Sequence, residues 1–168
     1  MGDGSSTANL SELVERHYAT LFRYAYRLSG CEADAQDLVQ QTFLAAQANL
    51  GQLRDPERAK SWLYTILRNN WLKDLRARGS LTGHSLHDLP EPAGDEPSDA
   101  GWDFEQLQTA LNELAVEFRE VIVLYYFGEF GYAEIAEQLG IPLGTVMSRL
   151  SRGKAYLRRR LAPVPSHG

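Results

Sequence analysis

The chain has 168 residues, 43% of them hydrophobic, and a net charge of −5, enough apolar material for one medium domain or two small ones. It holds no apolar run near the ~20 residues that span a bilayer and lacks the charged, apolar and small-residue start of a secretory signal, so a soluble, cytoplasmic protein with no membrane contact is expected. The one cysteine, Cys31, excludes an internal disulfide and reads as a small residue at a helix start.

Residues 1–9 read as a disordered tail. Its opening Met1-Gly2-Asp3-Gly4-Ser5-Ser6 fits a myristoylation pattern, but small polar residues suit a tail better. From Leu10 to about Leu28, Leu13, Val14, Tyr18, Leu21, Phe22 and Tyr24 recur at helical spacing, and Ser29-Gly30 closes the segment. A second helix is predicted from about Ala33 to Ala48, with Leu38, Val39, Thr42, Phe43 and Ala46 on one side and Gly51 ending the stretch. Asp55-Pro56 reads as an N-cap and first helical residue, opening a third helix to about Arg78.

On that third helix Leu63, Ile66, Leu67, Asn70 and Trp71 share one face at 100° per residue. Arg68, Asn69, Lys73 and Arg76 fall on the opposite half, with Trp62 at its edge. Such an arc is either a solvated charged face or a surface for single-stranded nucleic acid. In the second case cations take phosphates, the ring stacks a base and the amide reads an edge.

Residues 79–103 carry no Lys or Arg, six Asp or Glu, four glycines and three prolines. That mixture cannot bury a core and predicts a flexible acidic linker of roughly 25–30 Å reach. His84 and His87 lie three apart within it, but without cysteine partners they predict no zinc site. Outside this segment the acids and bases nearly balance, and 149–160 contains Arg149, Arg152, Lys154, Arg158, Arg159 and Arg160 with no acid. Local charge outweighs the total, because salt screens beyond about 8–10 Å.

Residues 104–162 read as a second helical domain and 163–168 as a tail. Helices at about 103–115 and 117–127 precede Tyr132-Ala-Glu-Ile-Ala-Glu-Gln-Leu-Gly-Ile-Pro-Leu-Gly-Thr-Val146, which has helix-turn-helix spacing. Ala136 is small where helices approach, Gly140 permits a left-handed turn, and Ile141 and Val146 fill the wedge. Pro142 can start the next helix but would damage its middle. That helix is expected to turn Leu143, Val146, Leu150 and Leu157 inward and Thr145, Ser148, Arg149, Arg152 and Arg159 outward. A helix of this kind suits a DNA major groove, where arginine can bind a guanine edge bidentately.

These motifs resemble those of a known family. Asp34-Ala-Gln-Asp-Leu-Val-Gln-Gln-Thr-Phe43 resembles the polymerase-binding helix of sigma region two. Ser61-Trp-Leu-Tyr-Thr-Ile-Leu-Arg-Asn69 with Leu72-Lys-Asp-Leu-Arg76 resembles its promoter-melting helix. Tyr132-Ala-Glu-Ile-Ala-Glu with Gly144-Thr-Val-Met-Ser-Arg149 resembles region four. Both sets occur in order, over about 10–78 and 104–162, and no region one or globular region three fits between them. The pattern is that of an extracytoplasmic-function (ECF) sigma factor of the sigma-70 family, an all-α protein of two small helical domains on a flexible acidic linker.

The resemblance implies a transcription initiation factor with no enzymatic activity and no cofactor or metal. It implies that Asp37, Leu38, Gln40, Gln41 and Phe43 dock on the β′ clamp helices of core RNA polymerase, and that region four meets the β flap. The Leu53–Ser61 loop, including Arg54, Lys60 and Ser61, would act with Trp62, Arg68, Asn69, Lys73 and Arg76 on the melted non-template strand of the minus-ten element. Thr145, Met147, Ser148, Arg149, Arg152 and Arg159 would meet the minus-thirty-five duplex. In such proteins the linker threads toward the RNA exit path, and an anti-sigma factor is the usual controlling partner.

Four positions depart from the family pattern: Gln41 for a usual Glu, Gln47 for a frequent aromatic, Met147 for a frequent Lys or Arg, and Ser151 where larger residues are common. The last two bear on promoter choice, because methionine can touch a thymine methyl but cannot hydrogen-bond a guanine. A helix-turn-helix regulator that binds duplex DNA alone would account for the second half of the chain but needs no first half. An enzyme is disfavoured, because no phosphate-binding glycine loop, metal-ligand cluster or histidine-centred nucleophile arrangement is present.

Overall fold

Seven α-helices carry the fold in a computed structural model that describes residues 9–79, 83, 85–87 and 102–161. No strand occurs among the described residues. The chain divides into two compact units, residues 1–80 and 81–168.

The first unit holds α1 (Leu10–Ser29), α2 (Glu32–Ala48) and α3 (Ala59–Arg78). Asn9 caps α1 by accepting from the Ser11 N–H at 2.9 Å, and Gly30 ends it in the left-handed region at φ 77°. Two short 3-10 turns, Leu50–Gln52 and Pro56–Arg58, join α2 to α3. Asp55 caps the second turn by accepting from the Glu57 N–H at 3.0 Å, as the Asp-Pro pair predicts, and the chain then runs directly into α3.

Leu21, Tyr24, Ala25 and Leu28 of α1 meet Ala35, Leu38, Val39 and Ala46 of α2 and Leu63, Tyr64, Leu67 and Trp71 of α3 in a closed core. The Tyr24 and Tyr64 rings lie 4.5 Å apart within it. Arg27 is also buried, and burial lowers its pKa below the usual guanidinium value. Arg78 at the end of α3 forks onto Asp34 at the start of α2, with bonds of 3.1 and 3.4 Å. This pair is largely exposed, so it orients the helix ends more than it stabilises them.

The second unit holds α4 (Phe104–Glu113), α5 (Val116–Tyr126), α6 (Tyr132–Leu139) and α7 (Leu143–Leu161). Asp103 caps α4 by accepting from the N–H groups of Glu105 and Gln106. α5 is buried nearly all round, from Phe118 to Leu124, and forms the centre of this unit. Its Arg119 donates from Nη2 to the Asn112 and Leu114 carbonyls at 3.0 and 2.9 Å, satisfying acceptors that α4 leaves open at its C-terminus. Gly140 closes α6 at φ 64°, and the Pro142 carbonyl accepts from Thr145 and Val146 as α7 begins.

Part of the segment expected to be flexible linker is packed. Leu86 is 2% exposed, the His87 ring lies 4.9 Å from that of Phe118, and His87 Nε2 meets Glu117 Oε1 at 2.8 Å. Gly83 lies so close to the Leu114 backbone that a Cβ there would sit 2.7 Å from it. Trp102 reaches the Tyr126 ring at 6.5 Å. A single apolar anchor and two aromatic contacts thus overcome an otherwise helix-breaking composition. The terminal tails, His84 and the acids from Asp88 to Asp99 lie outside the described residues.

If Leu86 is a core residue of the second unit, Leu86→Ala should lower that unit's stability by about 2–5 kcal/mol, the usual cost of a buried leucine deletion. Chemical denaturation of the full chain checks this. A linker role predicts no change in either unit's transition.

Candidate nucleic-acid interface

In the first unit the buried arc of α3 runs through Ala59, Leu63, Tyr64, Leu67 and Trp71. Opposite it, Asn69, Lys73 and Arg76 are exposed at spacings of four and three, and the half-buried Trp62 lies seven residues before Asn69. These four side chains therefore share one outward stripe. Arg68 stands to one side and is half-buried. Leu53 is half-buried and Arg54 exposed in the short non-helical stretch between the two 3-10 turns.

The rest of the expected loop is helical. Lys60 and Ser61 belong to the first turn of α3, with Lys60 Nζ 5.9 Å from the Tyr64 ring centre and the Ser61 hydroxyl donating to the Arg58 carbonyl. Lys60 also helps hold the His17 pKa below the ordinary imidazole value, after burial and together with Arg16.

Between α1 and α2 a cleft of about 500 Å³ is lined by Val14, Tyr18, Asp37, Gln40, Phe43 and Leu44 among others. The Phe43 ring lies nearly parallel to Tyr18 at 6.5 Å, and Tyr18 to Phe22 at 6.3 Å, forming an aromatic ledge. Asp37, Gln40 and Gln41 are exposed. Leu38, expected among the contact residues, is not at this surface: it is 2% exposed and packs in the core. Tyr18 and Leu44, assigned to no site from sequence, stand 47% and 62% exposed beside the cleft. Their signal was an aromatic and a leucine at the margins of apolar stripes, which periodicity alone assigns to the core.

In the second unit α6, Gly140 and α7 form the helix-turn-helix. The Gly131 N–H donates to Glu134 Oε1 at 3.1 Å, fixing the start of α6. On α7, Val146, Leu150, Gly153, Lys154 and Leu157 face inward. Met147 and Arg159 are exposed, while Thr145, Ser148, Arg149 and Arg152 are half-exposed. Arg152 Nη1 donates to Ser148 Oγ at 2.8 Å, so the guanidinium is held one turn back along the helix.

One expectation changes here. Leu143, expected inward, is 47% exposed. Arg160, part of the basic run, forks onto Glu113 of α4 with bonds of 3.1 and 3.0 Å and is turned away from the recognition arc. Among the described residues no group of three His, Cys, Asp or Glu is placed to hold a metal ion.

Two helical units in this order, one with an aromatic and cationic stripe and one with a helix-turn-helix, match two known domain families. Residues 13–80 match sigma-70 region 2, and residues 104–157 match sigma-70 region 4. SigL of Mycobacterium tuberculosis, an ECF RNA polymerase sigma factor, is 35% identical over 94% of this chain and 91% of its own length. This chain belongs to the ECF RNA polymerase sigma factor family. The ECF sigma factor SigE of Mycolicibacterium smegmatis is 38% identical over 96% of the chain, which spans 65% of SigE's length. Among solved structures, the sigma factor RpoE of Bartonella quintana, in complex with the anti-sigma factor NepR, aligns with a TM-score of 0.69 and 31% identity. That match covers 90% of this chain and 97% of RpoE. Sigma factors of this family are not enzymes, and no described helix is long and apolar enough to cross a membrane.

The Glu113 cluster that seats α7 predicts an alkaline limit for the second unit. Burial, then the hydrogen bond to Glu113, pushes the Tyr156 pKa from its ordinary 10.0 up to about 12. Between those two values the folded state keeps a proton that the unfolded state has released, so stability falls as pH rises through the interval. Tyr156→Phe should flatten that decline. Denaturation of both proteins at several alkaline pH values checks it, and parallel curves would assign the alkaline loss to other groups.

Proposed function

We propose that this chain acts as the promoter-recognition subunit of a bacterial RNA polymerase, with its two units dividing the work. The carrying observation is that both units turn a nucleic-acid-suited arc outward from a buried stripe: Trp62, Asn69, Lys73 and Arg76 on α3, and Ser148, Arg149, Arg152 and Arg159 on α7. The α3 stripe suits a melted non-template minus-ten strand, because a ring can stack a base and an amide can read its edge. The α7 arc suits the minus-thirty-five duplex. Arg54 and Leu53 extend the first of these surfaces. A helix-turn-helix regulator would need no counterpart of the first unit.

The α1–α2 cleft with Asp37, Gln40 and Phe43 suits the β′ clamp helices of core polymerase: an aromatic ledge beside a carboxylate and amides offers an apolar anchor with a polar rim. The second unit would meet the β flap. An anti-sigma protein would regulate the factor in the cytoplasm, as the NepR complex of RpoE suggests by similarity. No covalent step is involved. Unstacking bases costs a few kcal/mol each, offset by stacking and phosphate contacts on α3.

Run-off transcription with core polymerase on a randomised promoter pool tests the reading. Phe43→Ala should cost about 2 kcal/mol of core binding, roughly thirtyfold in Kd, and Asp37→Arg should act in the same direction, both with unchanged helicity. Core binding unaffected by either change would remove the cleft from the polymerase interface.

The two kinds of arginine on α7 separate by their base dependence. Arg152→Ala should cost about 1–3 kcal/mol concentrated on one base pair of the minus-thirty-five duplex. Arg159→Ala should weaken all duplexes about equally and reduce the salt slope by about one. Binding to single-base-substituted duplexes at several salt concentrations distinguishes them. A uniform loss for Arg152→Ala would show that it only positions the protein.

A further inference from the structure

The N-terminal turns of α7 carry an exposed apolar strip. Leu143 is 47% exposed and Met147, one turn on, is 51% exposed. A spacing of four places them on one line of the helix surface. Beyond them the outward positions of this helix are polar or cationic: Ser148, Ser151, Arg152 and Arg159. An isolated exposed leucine needs no explanation, but two in register on a recognition helix, beside cations that complement phosphate, form a surface of defined chemistry. The apolar feature that base pairs present in the major groove is the C5 methyl of thymine.

We propose that Leu143 and Met147 form a methyl-reading strip that selects a thymine in the minus-thirty-five duplex. The proposal rests on the reading of α7 as the duplex-recognition helix. Helix-turn-helix proteins place the N-terminal residues of this helix against base edges, and Leu143 and Met147 occupy that end. The unbranched thioether of Met147 can conform to a methyl without a fixed geometry. Ser148, about 100° of helix rotation from Met147, holds the guanidinium of Arg152 at 2.8 Å, and Arg152 itself stands about 140° from Met147. Hydrogen-bond reading and methyl reading are thereby divided between two lines of one helix. A lysine or arginine at 147 would replace the second kind with more of the first.

The test uses the full chain assembled with core polymerase. Minus-thirty-five duplexes are selected from a randomised pool, and each thymine in the selected sequence is then replaced singly by deoxyuridine, which removes the methyl and preserves pairing. One position should lose about fourfold in affinity, the value for one buried methyl group, with the others near unchanged. Met147→Gln, which keeps length and removes apolar character, should abolish that penalty, and Leu143→Ala should reduce it. Both variants should retain the preference that depends on Arg152.

A deoxyuridine scan without effect at any thymine, or a selected sequence without thymine, would overturn the methyl reading and leave duplex recognition standing. A penalty that survives both variants would place the methyl contact elsewhere and overturn it as well. Loss of all sequence preference in the wild-type holoenzyme would instead overturn the duplex-reading role, and the proposal with it.

Discussion

The contact of α7 with α5 decides which residues of the second unit can face DNA. Gly153 lies against Ile122, where a Cβ would come within 2.8 Å of the Ile122 side chain, so the missing side chain makes room for Ile122 at the contact of the two helices. The next residue, Lys154, is 5% exposed, with its ammonium 4.5 Å from the Tyr125 ring centre and 5.8 Å from that of Tyr126. A buried ammonium is costly unless something replaces its water, and the faces of two rings do so while the aliphatic stem packs against apolar neighbours. Arg160 and Tyr156 then tie the C-terminal half of α7 to Glu113. With these contacts made, the helix cannot rotate, and the arc holding Ser148 and Arg152 is outward by necessity. The basic side chains of this helix are therefore of two kinds, those that seat it and those that it displays.

The same logic makes the periodic elements legible in the sequence. A stripe such as Leu63, Leu67 and Trp71 names a buried face and, by subtraction, the opposite face of Asn69, Lys73 and Arg76. Punctuation was equally plain: Gly30 and Gly140 are both left-handed caps, and Asp55 caps ahead of Pro56. What periodicity cannot see is where the cover stops. Leu143 lies on the apolar side of the α7 wheel but in the first turn, where it is left 47% exposed. Lys154 and Arg119 mislead in the other direction, since long side chains bury their stems and find carbonyls or rings for their heads, and Arg27 is buried as well.

Composition failed for a different reason at Leu86 and His87. An average over 79–103 is dominated by its acids, glycines and prolines, and one leucine that finds a pocket leaves no trace in it. Motif matching likewise placed Leu38 in an interface, because a match in sequence records that a position matters and not whether its side chain points out or in.

An acidic chain can present DNA-binding surfaces because its charges are sorted by what they already hold. Residues 104–168 contain seven basic and seven acidic side chains, which taken together imply neutrality. Yet Arg119 is spent on the Asn112 and Leu114 carbonyls, Arg160 on Glu113, and Lys154 on two tyrosine rings. The other four, Arg149, Arg152, Arg158 and Arg159, lie on α7 as well, with Arg152 held by Ser148 of the same helix. Among the acids, Glu113 is engaged by Tyr156 and Arg160, Glu117 by His87, Glu120 is buried, and Glu134 is turned to the start of α6. A phosphate approaching α7 responds to charges within about 8 Å at physiological salt. Within that range the helix itself contributes cations and no acid from Leu143 to Leu161. Along α7 the local field is thus set first by the helix's own cations, and the overall charge of −5 is a poor guide to it.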